Sequence, residues 1–136
     1  MARAHMLYLN RGDVPPRGAL QKAVDPLGFK VTLDEAYKPF MAAAYLPCTL
    51  DGEDAGFNIR FDEVAGDLPQ DLKAAIGERD TAIGVRWSGD IREELAALAV
   101  SIALAQQFGA IIHDPDRGIV PPEKLLAKAR ERQESL

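Results

Sequence analysis

The stretch Asp90-Ile91-Arg92-Glu93-Glu94-Leu95-Ala96-Ala97-Leu98-Ala99-Val100-Ser101-Ile102-Ala103-Leu104-Ala105-Gln106-Gln107-Phe108 decides the architecture. Asp90 followed by Glu93 is a capping box, and Glu93 and Glu94 sit at the positive end of the helix dipole. Ile91, Leu95, Leu98 and Ile102 form one apolar stripe, and Ala96, Val100, Leu104 and Phe108 form a second. Two stripes on one helix mean burial on most sides, so this is the main core element. Gly109 supplies the stop. The most apolar part, Leu95 to Ala105, contains Ser101 and is about half the length needed to span a bilayer.

The segments on either side read as strands. In Thr81 to Trp87, Ile83, Val85 and Trp87 share one face and the small Ala82 and Gly84 the other. Small residues admit close approach, which predicts a central strand covered on both sides. Downstream, 110–113 is a strand, Asp114-Pro115-Asp116-Arg117-Gly118 a turn and Ile119-Val120 a return strand, and Pro121-Pro122 opens a last helix. Upstream, Met6 to Asn10 and Phe29 to Leu33 read as strands around a helix at 16–25 opened by Pro15-Pro16, while 34–44 fits either a short helix broken at Pro39 or a loop. Residues 45–50 and 57–61 pair as a hairpin, with Gly52 and Gly56 supplying positive φ and Pro47 marking an edge. Asp67 to Gln70 predicts a capping box for a helix carrying Leu68, Leu72 and Ile76 and ending at Gly77.

The expected fold is therefore α+β. A single domain over residues 1–136 has a mixed, largely antiparallel sheet of five to seven short strands, with the helix at about 90–108 on one face and smaller helices around it. The length suits one core, and 47% apolar with 27% charged residues is ordinary for a globular chain. Cys48 is the only cysteine, so no internal disulfide forms. A lone thiol and an N-terminal stretch without a signal-like apolar run lead to the expectation of a cytoplasmic protein, outside the membrane.

Net charge is −5, concentrated in residues 51–80, where nine acids face three bases. Such a chain lacks the basic footprint that nucleic acid requires and suits a cationic partner. The plainer reading is a solvated surface.

Catalytic and ligand-binding chemistry is weakly represented. His113 and Asp114 are adjacent on a strand and point to opposite faces, so they do not clamp one ion. Cys48, with His113 or His5 as base, lacks a readable activating setting and suits burial. Arg86-Trp87-Ser88-Gly89-Asp90 places backbone N–H groups at a helix start, but Asp90 as cap occupies them and repels an anion. Asp62, Glu63, Glu93 and Glu94 show no spacing that makes two carboxylates converge. No cofactor, metal or catalytic residue is assigned. Trp87, the sole tryptophan, suits the core, yet Trp and Arg are enriched at binding hot spots, which keeps Arg86 and Trp87 as contact candidates.

Tyr45-Leu46-Pro47-Cys48-Thr49-Leu50-Asp51-Gly52-Glu53-Asp54-Ala55-Gly56-Phe57 resembles a hairpin recurring in small bacterial proteins. The later strand, Trp87-Ser88-Gly89, Ala-rich helix, Phe108-Gly109-Ala110-Ile111-Ile112 and Asp114-Pro115 turn to Gly118 are similar in the same way, and together they cover about 45–120. Several such proteins are regarded as immunity proteins, which neutralise secreted toxins. The resemblance implies a binding role but transfers no site residue.

The expectation is a non-catalytic protein-binding domain of immunity type that covers a basic toxin through an acidic surface. Asp51, Glu53, Asp54, Asp62 and Glu63 would steer, and Arg86 with Trp87, or Tyr45, would anchor. The alternatives are an enzyme or small-ligand protein with a pocket between the sheet and the 34–44 segment, lined by His113, Arg60 or Arg86, and a homodimer pairing at the strand near Pro47.

Overall fold

A computed structural model describes residues 3–42 and 44–136. In chain order these form β1 (Ala4–Leu9), α1 (Arg17–Val24), β2 (Val31–Leu33), β3 (Tyr45–Leu46), β4 (Cys48–Leu50), β5 (Glu53–Asp54), β6 (Phe57–Glu63), α2 (Gln70–Ile76), β7 (Thr81–Arg86), α3 (Ile91–Phe108), β8 (Ile111–Asp114), β9 (Gly118–Val120) and α4 (Pro122–Gln133). The main sheet runs β3-β6-β7-β1-β8-β9 and a smaller one β2-β4-β5, with every pairing antiparallel. The fold is α+β, as the residue pattern predicts.

Helix α3 is the centre of the core. Leu95 through Leu104 are all buried along it, and Ser101, the polar residue among them, donates its hydroxyl to the Ala97 carbonyl at 2.9 Å. Its alanines let other elements approach closely: α1, α4, the strands of the main sheet and the β4–β5 hairpin all pack against it. Asp90 Oδ1 accepts from the Arg92 N–H at 2.8 Å, and Gly109 closes the helix at φ 75°. The reciprocal half of the predicted box differs. Glu93 takes the Ser88 hydroxyl at 2.8 Å, and the Ser88 Oγ in turn accepts from the Asp90 N–H at 3.2 Å.

The predicted strand at 45–50 is divided by Pro47. Tyr45–Leu46 pair with β6 in the main sheet, whereas Cys48–Leu50 pair with β2 and β5 in the small one. Proline has no N–H to continue a ladder, so the chain changes sheets there. The reversal is made by Asp51 (φ 53°) and Gly52 (φ 83°), both left-handed as a tight two-residue hairpin requires.

Gly56 serves a purpose other than the positive φ expected of it. A methyl group there would run into the Tyr45 hydroxyl and sit 2.9 Å from the Leu46 carbonyl oxygen. The exposed Tyr45 ring can swing aside but the paired carbonyl cannot, so Gly56→Ala should loosen the β3–β6 junction by about 1–3 kcal/mol. A urea midpoint equal to that of the unaltered protein would contradict this.

Two further expectations are corrected. Helix α2 begins at Gln70 behind Pro69, with no side-chain cap, rather than in a box led by Asp67. Pro69 is itself extended at φ −54° and ψ 148°, so the helical turn starts only behind it; the proline ring also disfavours the helical region for the residue before it. Strand β7 lies centrally between β6 and β1, but only part of its outer face is covered. Segment 34–42 is a pair of turns: Asp34 accepts from the Ala36 N–H at 2.9 Å, and the buried Tyr37 donates its hydroxyl to the Pro15 carbonyl at 2.9 Å.

Candidate interaction surface

Because cross-strand partners share a face, the register sorts the outer side of the main sheet into rows. One row is Tyr45, Asn58, Arg86 and Ala4; the next is Arg60, Gly84, Met6, His113 and Ile119; the third is Asp62, Ala82, Tyr8 and Ile111. Helix α2 lays Leu72 and Ile76 over Tyr8 and Ala82, so the third row is mostly covered. The first two rows are open. Tyr45 is 54% and Ile119 44% exposed, and Asn58, Arg60 and Arg86 are all exposed. Ala4, Met6, Asn58, Arg60, Gly84 and Arg86 line a groove of about 410 Å³ along this face. His113 sits on the same face outside the groove.

The acidic residues do not form one patch. Asp51, Glu53 and Asp54 belong to the β4–β5 hairpin, while Asp62 and Glu63 close the far end of β6, a strand whose seven residues span roughly 20 Å. Partial desolvation, then the charges of Glu93, Cys48 and Asp54, raise the Tyr45 phenol above its ordinary value, so Glu93 and the hairpin's Asp54 lie beside that end of the open face. At the other end Asp62, Glu63 and Asp80 border a 450 Å³ cleft with Arg11, Phe40 and Phe61. Asp80 Oδ1 accepts from the Arg11 N–H at 2.8 Å, and that bond holds its carboxyl below the usual range.

Three acids carry cationic neighbours: Asp51 with Lys30 at 3.8 Å, Glu53 with Arg92 at 3.4 Å and Asp62 with Arg60 at 4.0 Å. All are solvent-exposed pairs, each worth about 0–1 kcal/mol, so they break readily in favour of a partner's charge.

Arg86 and Trp87 are adjacent in sequence but separate in space. Arg86 stands on the open face, whereas Trp87, 6% exposed, turns into the core with its ring edge-on to His5 at 5.1 Å between centroids. As a surface anchor Trp87 is corrected: following Ile83 and Val85 by the strand period, it belongs to the α3 side. Tyr45 takes the exposed aromatic position.

The groups considered for chemistry are quiet. Burial and the neighbouring Asp34 push the Cys48 thiol up to about 12, so it stays protonated at neutral pH. His113 and Asp114 do face opposite ways, His113 outward and Asp114 into a buried contact with His5. Among the described residues no three His, Cys, Asp or Glu side chains are grouped to hold a metal ion, and no helix is long and apolar enough to cross a membrane.

Sequence reasoning missed one arrangement. His5 Nε2 lies 3.4 Å from Asp114 Oδ2, and Asp114 Oδ1 accepts from the Asp116 and Arg117 N–H groups at 2.7 and 3.2 Å. The two residues lie 109 positions apart, so no local motif announces them. Desolvation lowers the His5 pKa against the pull of Asp114, so the ring is neutral and the contact is a hydrogen bond. Burial opposes ionisation of Asp114, but the two N–H donors and His5 outweigh it and hold the carboxyl below its usual value.

No protein-family model matches the chain, and comparison with curated proteins and with solved structures gives no match.

Proposed function

We propose that this chain is a non-catalytic protein-binding domain of the immunity type, engaging a basic partner such as a toxin domain with the open part of its main sheet. The observation that carries this reading is that α2 covers one row of the outer face and leaves two rows bearing Tyr45, Asn58, Arg60 and Arg86 in solvent. Tyr and Arg are enriched among the side chains that supply most binding energy at interfaces, Tyr because it buries a large ring with two rotatable bonds and Arg because its planar guanidinium bonds and stacks at once. Arg60 and Arg86 make the open rows themselves cationic, so attraction for a basic partner would come from the acids at the two ends of the face and the net charge of −5, which would raise the encounter rate.

Co-expression with the product of the adjacent gene tests this directly. The expected result is growth arrest by that product alone and restored growth when this protein is present. A product that is harmless, or equally harmful with and without this protein, refutes the reading. For the purified pair, the association rate should fall at least several-fold between about 0.05 and 0.5 M salt while dissociation changes little. An association rate indifferent to salt would remove the role given to the acids.

A further inference from the structure

A second pocket, separate from the open face, lies where the start of β1, the loop from β7 to α3, the β8–β9 turn and α4 meet. Its volume is about 270 Å³, and Trp87 lines it. Four cationic side chains surround it, Arg3, Arg117, Lys128 and Arg132, in a protein whose net charge is negative.

The acids of the same pocket are already engaged. Glu94 Oε1 accepts from Arg132 Nε at 2.8 Å. Asp114 is bonded to two backbone N–H groups and to His5. Asp116 also has an interaction of its own. The side chains of Arg3, Arg117 and Lys128, by contrast, make no ion pair among the described residues. With four cations against three carboxylates the lining is net positive by one charge, and an anion placed among Arg3, Arg117 and Lys128 gains charge-assisted hydrogen bonds from side chains that have no ion-pair partner of their own.

We infer that this pocket binds a small oxyanion of the phosphate class, held by Arg3, Arg117 and Lys128 beside the Trp87 indole. Guanidinium groups match phosphate oxygens two at a time, and an ammonium adds a point charge. The site stands on residues the partner-binding surface does not use, so the two readings fail independently.

The sole tryptophan makes the test direct. Indole emission is followed while inorganic phosphate, glycerol phosphate or chloride is added at matched ionic strength. Saturable change with phosphate or glycerol phosphate, absent with chloride, is expected. Affinity should fall at least tenfold in Lys128→Gln and in Arg3→Gln, and should be unaltered in Lys22→Gln, which replaces an exposed cation on α1. Tighter binding of glycerol phosphate assigns the site to an organic phosphate, and equal or weaker binding assigns it to the free anion. No saturation with either, the same response to chloride, or equal affinity in the Lys128 and Lys22 variants overturns the proposal. Thermal melting of each variant separates loss of binding from loss of fold, and Arg117→Gln supplies a replacement if one variant is unfolded.

Discussion

Leu98→Ala should destabilise the protein by about 3–4 kcal/mol, a large share of the roughly 5–15 kcal/mol that holds a typical domain folded. Leu98 is wholly inaccessible at the middle of α3, where the sheet, α1 and α4 leave no solvent-facing side. A cavity there cannot fill by moving one neighbour. Ala96, Ala97, Ala99 and Ala103 already bring backbones close, and a short side chain has no rotamer with which to close a gap. In urea the midpoint should drop with the slope preserved, and the melting temperature should fall by roughly 10 °C. A loss under about 1 kcal/mol would mean that α3 is not the element on which the others are assembled.

The second large effect is at Asp114. Removing its carboxylate by Asp114→Ala withdraws the acceptor for the Asp116 and Arg117 N–H groups and takes from His5 its one hydrogen-bonding partner, since His5 Nδ1 has none among the described residues. The expected loss is about 3 kcal/mol, the scale of leaving buried polar groups unsatisfied. Asp114→Asn keeps an oxygen that can accept from the turn and should lose less. Equal stability of the unaltered, Asn and Ala forms would show the contact to be energetically idle.

The same pair fixes how stability depends on pH. His5 has a folded-state pKa below its ordinary 6.5, so as pH falls through that value the unfolded chain takes up a proton that the native ring resists. Stability should therefore begin to fall below about pH 6.5 and level off once pH passes under the folded-state value. Asp114 acts in a lower window. Its depressed pKa stabilises the native state above its ordinary 3.8, and that contribution is lost as pH drops through the folded-state value. His5→Phe, which removes the upper group, should flatten the slope between pH 7 and pH 5.

What the sequence made legible follows from distance along the chain. The Asp90 cap, both stripes of α3 and Gly109 are local chemistry, and each is found where its pattern predicts. Pro47 announced an edge, but that the chain exchanges one sheet for another there depends on β2, some 14 residues earlier, offering a partner for Cys48–Leu50. The acids of 51–80 do not fold into one patch, because β6 runs between Asp54 and Asp62 and separates the hairpin acids Asp51, Glu53 and Asp54 from Asp62, Glu63 and Asp80. Strand period does place Trp87 with Ile83 and Val85. Its identity as tryptophan, common at hot spots, argued for the surface and lost to that alternation. The open rows and the basic pocket were illegible, since they depend on strand order and on residues as far apart as Arg3 and Lys128.

Affinity for the basic partner, measured for two pairs of substitutions, tests the central claim most directly. Arg86→Ala with Tyr45→Ala removes the exposed anchors of the open face, and Asp51→Asn with Glu63→Gln removes one charge at each end of it. The anchor pair should weaken binding at least about 100-fold, mainly through faster dissociation, while the acid pair weakens it less than about tenfold, mainly through slower association. Binding undiminished in the anchor pair, or lost chiefly in the acid pair, would contradict the assignment of the open sheet face as the docking surface.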